Sequence, residues 1–203
     1  MKRWPFAALA AALALLVFVA ARVDAQRSEE VALAPAGWSA DDPAQIPRLE
    51  AHLERTPRDG RGRVLLARLY FASDRFEPAA RAYEQALAVS RKVARDPLVW
   101  CELADALAMA QGGSLKGRPR ETIDKALGLK GTHPRALEMA GSAAYEAREY
   151  DRALGYWRAL LAQLDPRSRE HRELQAAVGR LRRFAEIALA ERDSHLEPQR
   201  RSP

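Results

Sequence analysis

One cysteine, Cys101, is all that the 203 residues contain. That excludes a disulfide framework, a cysteine-rich zinc or iron–sulfur site, and covalent haem attachment of the C-x-x-C-H kind. Aromatic residues are scarce at 7%, and valine and isoleucine are few beside alanine and leucine. Scarce β-branched and aromatic side chains argue against sheet, and abundant Ala and Leu argue for helix. No stretch sustains period-two alternation, so no sheet is expected. The four histidines, His52, His133, His171 and His195, are scattered without an i,i+4 pair or an H-E-x-x-H run. No metal or acid–base role follows from them. No nucleophile, base and orienting group lie at recognisable spacing, so neither an enzyme nor a cofactor is expected. Gly112 to Gly117 has the glycine spacing of a phosphate loop. Arg118-Pro119 follows instead of Lys-Ser or Lys-Thr, and no strand precedes, so nucleotide binding is excluded. The pair Gly112-Gly113 reads as the turn that ends a helix. The net charge of +6 is basic without marking a nucleic-acid binder.

Apolar residues are nonetheless 48% of the chain, enough for a sizeable core. The one long apolar run, Phe6 to Ala21, comes after Lys2 and Arg3 and ends at Arg22. At 1.5 Å per residue it spans about 24 Å, short of a bilayer core of about 30 Å. With Val23-Asp24-Ala25 behind it, residues 1–25 read as a secretory signal cut after Ala25, or as an N-terminal membrane anchor. Either reading places the remainder of the chain on the outer, periplasmic side of a bacterial inner membrane, with Lys2 and Arg3 left inside. Residues 26–42 are polar, with Pro35 and Gly37 and no period, and read as a linker. Ile46, Leu49 and Leu53 then predict a first helix over 43–55, with Asp41 or Asp42 as cap and Pro43 in the first turn.

Three segments starting at Gly60, Pro97 and Pro134 repeat at even 37-residue spacing. The tetratricopeptide repeat (TPR) has a 34-residue helix–turn–helix unit with large and small residues at set places. Counting from each start, position seven is Leu66, Leu103 and Ala140. Position eight, where helix A must admit helix B, is Ala67, Ala104 and Gly141. Position twenty is Ala79 and Ala153 in the first and third repeats, and position twenty-four is Tyr83 and Trp157. The surplus residues fall near Arg91–Asp96 in the first repeat and around Gly112–Arg118 in the second. The expectation is an all-α TPR solenoid over 43–190. It has repeats near 60–96, 97–133 and 134–167, a preceding helix, and a capping helix over 168–190. Leu174, Val178, Leu181, Ala185 and Ala188 form that last helix's apolar stripe. Arg172, Glu173, Arg180, Arg182 and Arg183 form its solvated face. Residues 191–203 read as a disordered tail.

The run Glu102 to Leu115, ending Gln111-Gly112-Gly113-Ser114-Leu115 and followed by Gly117 and Pro119, resembles the periplasmic TPR region of cytochrome c-type biogenesis proteins of the CcmI, CycH and NrfG type. The likeness continues through His133 to Leu137, Ala140 to Tyr145 and Tyr156 to Leu161, covering about residues 43–165. The resemblance implies a non-catalytic chaperone that binds apocytochrome c, notably its C-terminal helix. It would present that client to haem-ligation complex subunits at the inner membrane. An envelope adaptor with a non-cytochrome client is the alternative.

In a TPR array the A helices line a groove that takes a peptide or an amphipathic helix. Positions two, five, nine and twelve usually face it. They give Arg61, Val64, Arg68 and Phe71, then Leu98, Cys101, Asp105 and Ala108, then Arg135, Glu138, Ser142 and Tyr145. Apolar patches with charges of both signs suit an amphipathic helix. Val64 and Arg68 stand where clamps for acidic peptide termini use Lys and Asn, so that clamp is excluded. Cys101 sits mid-helix, either as a buried small hydrophobe or as a thiol for a mixed disulfide with a client.

Overall fold

In the computed structural model the described residues are 44–196, with side chains described to residue 183. Every regular element among them is helical. The expected leader or anchor, the linker, Asp41, Asp42 and Pro43 lie outside the described residues.

Helix α1, Gln45–Arg55, buries Leu49 and Leu53. It lies against α2, Gly60–Ala72. Asp59 caps α2, its Oδ1 accepting from the Gly62 N–H at 2.9 Å. Helices α3, Phe76–Val89, and α2 make the first pair, and a single turn, α4, Arg91–Ala94, comes next. That turn takes up the first repeat's surplus residues, capped by Ser90 with Val93 buried. Asp96 caps α5, Pro97–Ala110, and His133 caps α7, Pro134–Glu146. Both helices open on proline, where the missing N–H costs nothing and φ is already helical. Their partners are α6, Arg118–Leu129, and α8, Tyr150–Leu161. Helix α9 runs Arg169–Leu196, with Ser168 Oγ accepting from the His171 N–H at 3.0 Å. Its helical backbone thus continues six residues past the expected boundary at 190.

The pairs stack in chain order: α3 also packs on α5, α6 on α7, and α8 on α9. Small residues let them approach. Ala67, Ala79, Ala104 and Ala153 are fully buried. Gly141 faces Trp157 so closely that a Cβ would lie 2.7 Å from Cε2 and nearer still to Nε1 and Cδ1. The two bulky B-helix side chains, Tyr83 and Trp157, fill the space that these small residues leave. On α9 the stripe Leu174, Val178 and Leu181 is buried, and Arg172, Glu173, Arg180, Arg182 and Arg183 are exposed.

All three A helices end alike. The N–H groups of Arg75, Gly113 and Glu149 return to the carbonyls of Tyr70, Ala108 and Ala144 at 2.9, 2.7 and 2.8 Å. Those of Asp74, Gly112 and Arg148 return to Phe71, Met109 and Tyr145. These are the two bonds of the Schellman motif, which needs a left-handed residue just past the helix. That residue is Gly112 at φ 76° in the second repeat, but Asp74 at 56° and Arg148 at 62° in the others.

Candidate functional site: the A-helix face

Helices α2, α5 and α7 carry the positions expected to meet a client. Arg61 is exposed, while Phe71, Leu98, Ser142 and Tyr145 are half-buried. Phe71 meets Phe76 edge-on, centroids 5.3 Å apart. Tyr145 lies 6.0 Å from Tyr150 and 6.1 Å from Trp157. These contacts hold each ring by its own turn and leave part of it at the surface.

The charged members bind one another. Arg68 donates to Glu102 Oε1 through Nε at 2.9 Å and Nη2 at 2.8 Å, joining α2 to α5. Arg135 on α7 donates from Nη2 to Asp105 Oδ2 on α5 at 2.8 Å and from Nη1 to Glu138 Oε2 at 3.0 Å. Ser142 Oγ donates to the Glu138 carbonyl at 3.1 Å. Behind them, on α3, the buried Tyr83 phenol lies close to Arg68 and Glu102. Burial above all, then the nearby Glu102 carboxylate, holds the Tyr83 phenol well above its ordinary pKa. An ion-paired seam therefore runs across all three A helices.

Not all twelve expected positions reach a common surface. Cys101 is 0% exposed, packed among Ala104, Ile123, Ala126, Ala136 and Met139. Helix α5 is enclosed by α3, α6 and α7, so its position five points into the core rather than out. Burial pushes the Cys101 thiol up to about 12, and a buried neutral thiol is inert toward disulfide exchange. Val64 and Glu138 are buried too, and Ala108 with them. Glu138 lies under the Arg135 guanidinium, which draws it inward.

One partner in this seam, Glu102, was not among the expected positions. A signal for Glu102 exists: Arg68 and Glu102 stand 34 residues apart, and Asp105 and Arg135 stand 30 apart. Opposite charges about one repeat apart are neighbours in a stacked array. The same rule finds Arg118 with Glu84 and Arg120 with Glu149.

The Gln111 to Gly117 loop has its own anchor. The Glu146 carboxylate, at the end of α7, accepts from Ser114 Oγ at 2.6 Å and from the Leu115 N–H at 2.8 Å. Gln111 Nε2 donates to the Lys116 carbonyl at 3.0 Å, and Leu115 packs against the Cys101 core. Away from the seam, a cleft of about 340 Å³ lies between α3, α5 and α6. The Trp100 ring in it is covered by Lys125, whose Nζ is 5.0 Å from the centroid. Among the described residues, no group of three His, Cys, Asp or Glu side chains could hold a metal ion. No helix among them is long and apolar enough to cross a membrane.

Stacked helix pairs with small residues at the pair contacts, and repeated Schellman ends, define a tetratricopeptide-repeat protein. The chain belongs to the family described as the cytochrome c-type biogenesis protein H TPR domain, whose model matches residues 48–171. It is similar to the cytochrome c-type biogenesis protein CycH of Bradyrhizobium diazoefficiens, 32% identical over 118 residues, which are 58% of this chain and 31% of that protein. It is also similar to CycH of Pseudomonas aeruginosa, 30% identical over 135 residues, which are 66% of this chain and 32% of that protein. CycH of Rhizobium meliloti is 30% identical over 115 residues, 57% of this chain and 29% of that protein. The match spans about a third of each relative's length.

Proposed function

We propose that this chain is a non-catalytic TPR scaffold for c-type cytochrome maturation, holding apocytochrome c by its C-terminal helix. It acts on the periplasmic side of the inner membrane, soluble or anchored through residues 6–21, and hands its client to haem-ligation subunits. The family match over 48–171 carries this reading, because it takes in the whole A-helix face. That face supports a binding role physically. Phe71 on α2 and Tyr145 on α7 offer partly exposed rings, and Leu98 on α5 lies in the helix between them. Apolar anchors around a polar seam suit an amphipathic helix. The client surface is therefore assigned to Arg61, Arg68, Phe71, Leu98, Asp105, Arg135, Ser142 and Tyr145, with Val64, Cys101 and Glu138 supporting it from below.

The test is a binding titration of the full chain with a peptide of a c-type cytochrome C-terminal helix, against a scrambled peptide. Specific binding is expected, weakened at least about tenfold when Phe71 and Tyr145 are both changed to Ala. Equal binding of the scrambled control would overturn the reading. Envelope extract that yields another subunit and no cytochrome would favour the adaptor alternative.

A further inference from the structure

We infer that the A-helix face selects a client helix carrying a lysine or arginine, seated at Asp105 beside Arg135 and Glu138. The inference rests on the client-binding reading above and adds the chemistry that the seam recognises. Around Arg135 one guanidinium serves two carboxylates, Asp105 at 2.8 Å and Glu138 at 3.0 Å. The other cation of the seam, Arg68, is ion-paired with Glu102 at 2.8 Å. Among the described residues the Arg135, Asp105 and Glu138 cluster therefore carries one negative charge in excess. Glu138 is only 5% exposed, yet among the described residues its Oε1 has no hydrogen-bond partner. A buried acceptor left unpaired is a standing destabilisation, and here it belongs to a charged group.

The excess has an opening. The Asp105 side chain is 30% exposed while Arg135 is 11% exposed, so Asp105 is the edge of the cluster that a newcomer reaches. An ammonium or guanidinium arriving there meets a carboxylate that is partly desolvated and shares its guanidinium. Once Asp105 has a second cation, Arg135 is released to serve Glu138 more fully. Charge pairs in such partly buried settings contribute to affinity as well as to register. The half-buried Ser142 and Tyr145 lie on α7, where the same helix would set its apolar residues.

The experiment uses the full chain and the cytochrome C-terminal helix peptide, with each lysine and arginine of the peptide changed singly to glutamine. One such change is expected to weaken binding about tenfold. The same change should matter little, within about twofold, when the protein carries Asp105→Asn. That variant keeps an acceptor for Arg135 and removes only the charge. Glu138→Gln, checked for folding by circular dichroism, should reduce the coupling in the same direction. If the parent peptide binds and every glutamine variant binds within about twofold of it, the inference is overturned and the client reading stands. If the parent peptide does not bind at all, both fail together.

Discussion

A single hydrogen decides the third repeat. Gly141 is buried against the Trp157 indole, which is itself 3% exposed. Gly141→Ala drives a methyl into hard overlap with the indole's Nε1, Cδ1 and Cε2, and α7 and α8 must separate to admit it. Overpacking of this kind costs about 1–3 kcal/mol, and the upper end is expected because backbone meets a rigid ring. Gly155, on the exposed side of α8, has nothing among the described residues within 4 Å of a Cβ. Gly155→Ala should instead stabilise by about 0.5–1 kcal/mol, the helix preference alone. Urea denaturation of the two variants separates packing from propensity, and equal effects would refute the close contact. Cys101 gives a second test at this scale. With its thiol buried and raised to about 12, alkylation by iodoacetamide at pH 8 should be negligible in the folded chain and rapid in urea. Prompt labelling of the native protein would show that the helix around Cys101 opens.

At the scale of the element, most of the architecture was legible and the reasons are local. Small residues at position eight, bulky ones at position twenty-four, Asp96 before Pro97 and His133 before Pro134 each announce a helix start or contact. What stayed hidden had no residue signal. The left-handed turn residue is glycine only in the second repeat; Asp74 and Arg148 take the same conformation under the compulsion of the two Schellman bonds. The client face was blurred for a different reason. Ideal repeat geometry assigns position five to a groove, but α5 has helices on three sides, so Cys101 is enclosed. The turn strain makes a prediction. Arg148 is exposed, and Arg148→Gly removes the steric cost of positive φ, raising stability by about 1 kcal/mol in urea denaturation. The loop makes another. Glu146→Ala removes the acceptor of the Leu115 N–H, so that amide should exchange with solvent faster while the α7 amides keep their protection.

Across the whole molecule, stability is a sum of repeat terms and the junctions between them, and titratable groups sit at the junctions. His133 caps α7 where the second repeat meets the third, with Nδ1 3.4 Å from the Ala136 N–H it accepts from. Burial first, then Lys130, lowers its pKa from 6.5, and only the neutral imidazole can accept. Glu149 joins the start of α8 to Arg120 on α6 and to Arg152. The Arg120 hydrogen bond first, then the charges of Arg120 and Arg152, lower its pKa from 4.5. Both groups are depressed in the folded state. Each contribution is therefore complete above the unfolded value and lost as pH falls through the folded one. Urea midpoints taken from pH 7.5 downward should hold steady, fall once below about 6.5, and fall again below about 4.5. His133→Asn supplies a cap that does not titrate, so it should flatten the first fall and leave the second. Glu149→Gln should lower the neutral-pH midpoint and shrink the second fall only. A His133→Asn chain that still lost stability between pH 6.5 and 5 would place the first fall elsewhere in the molecule.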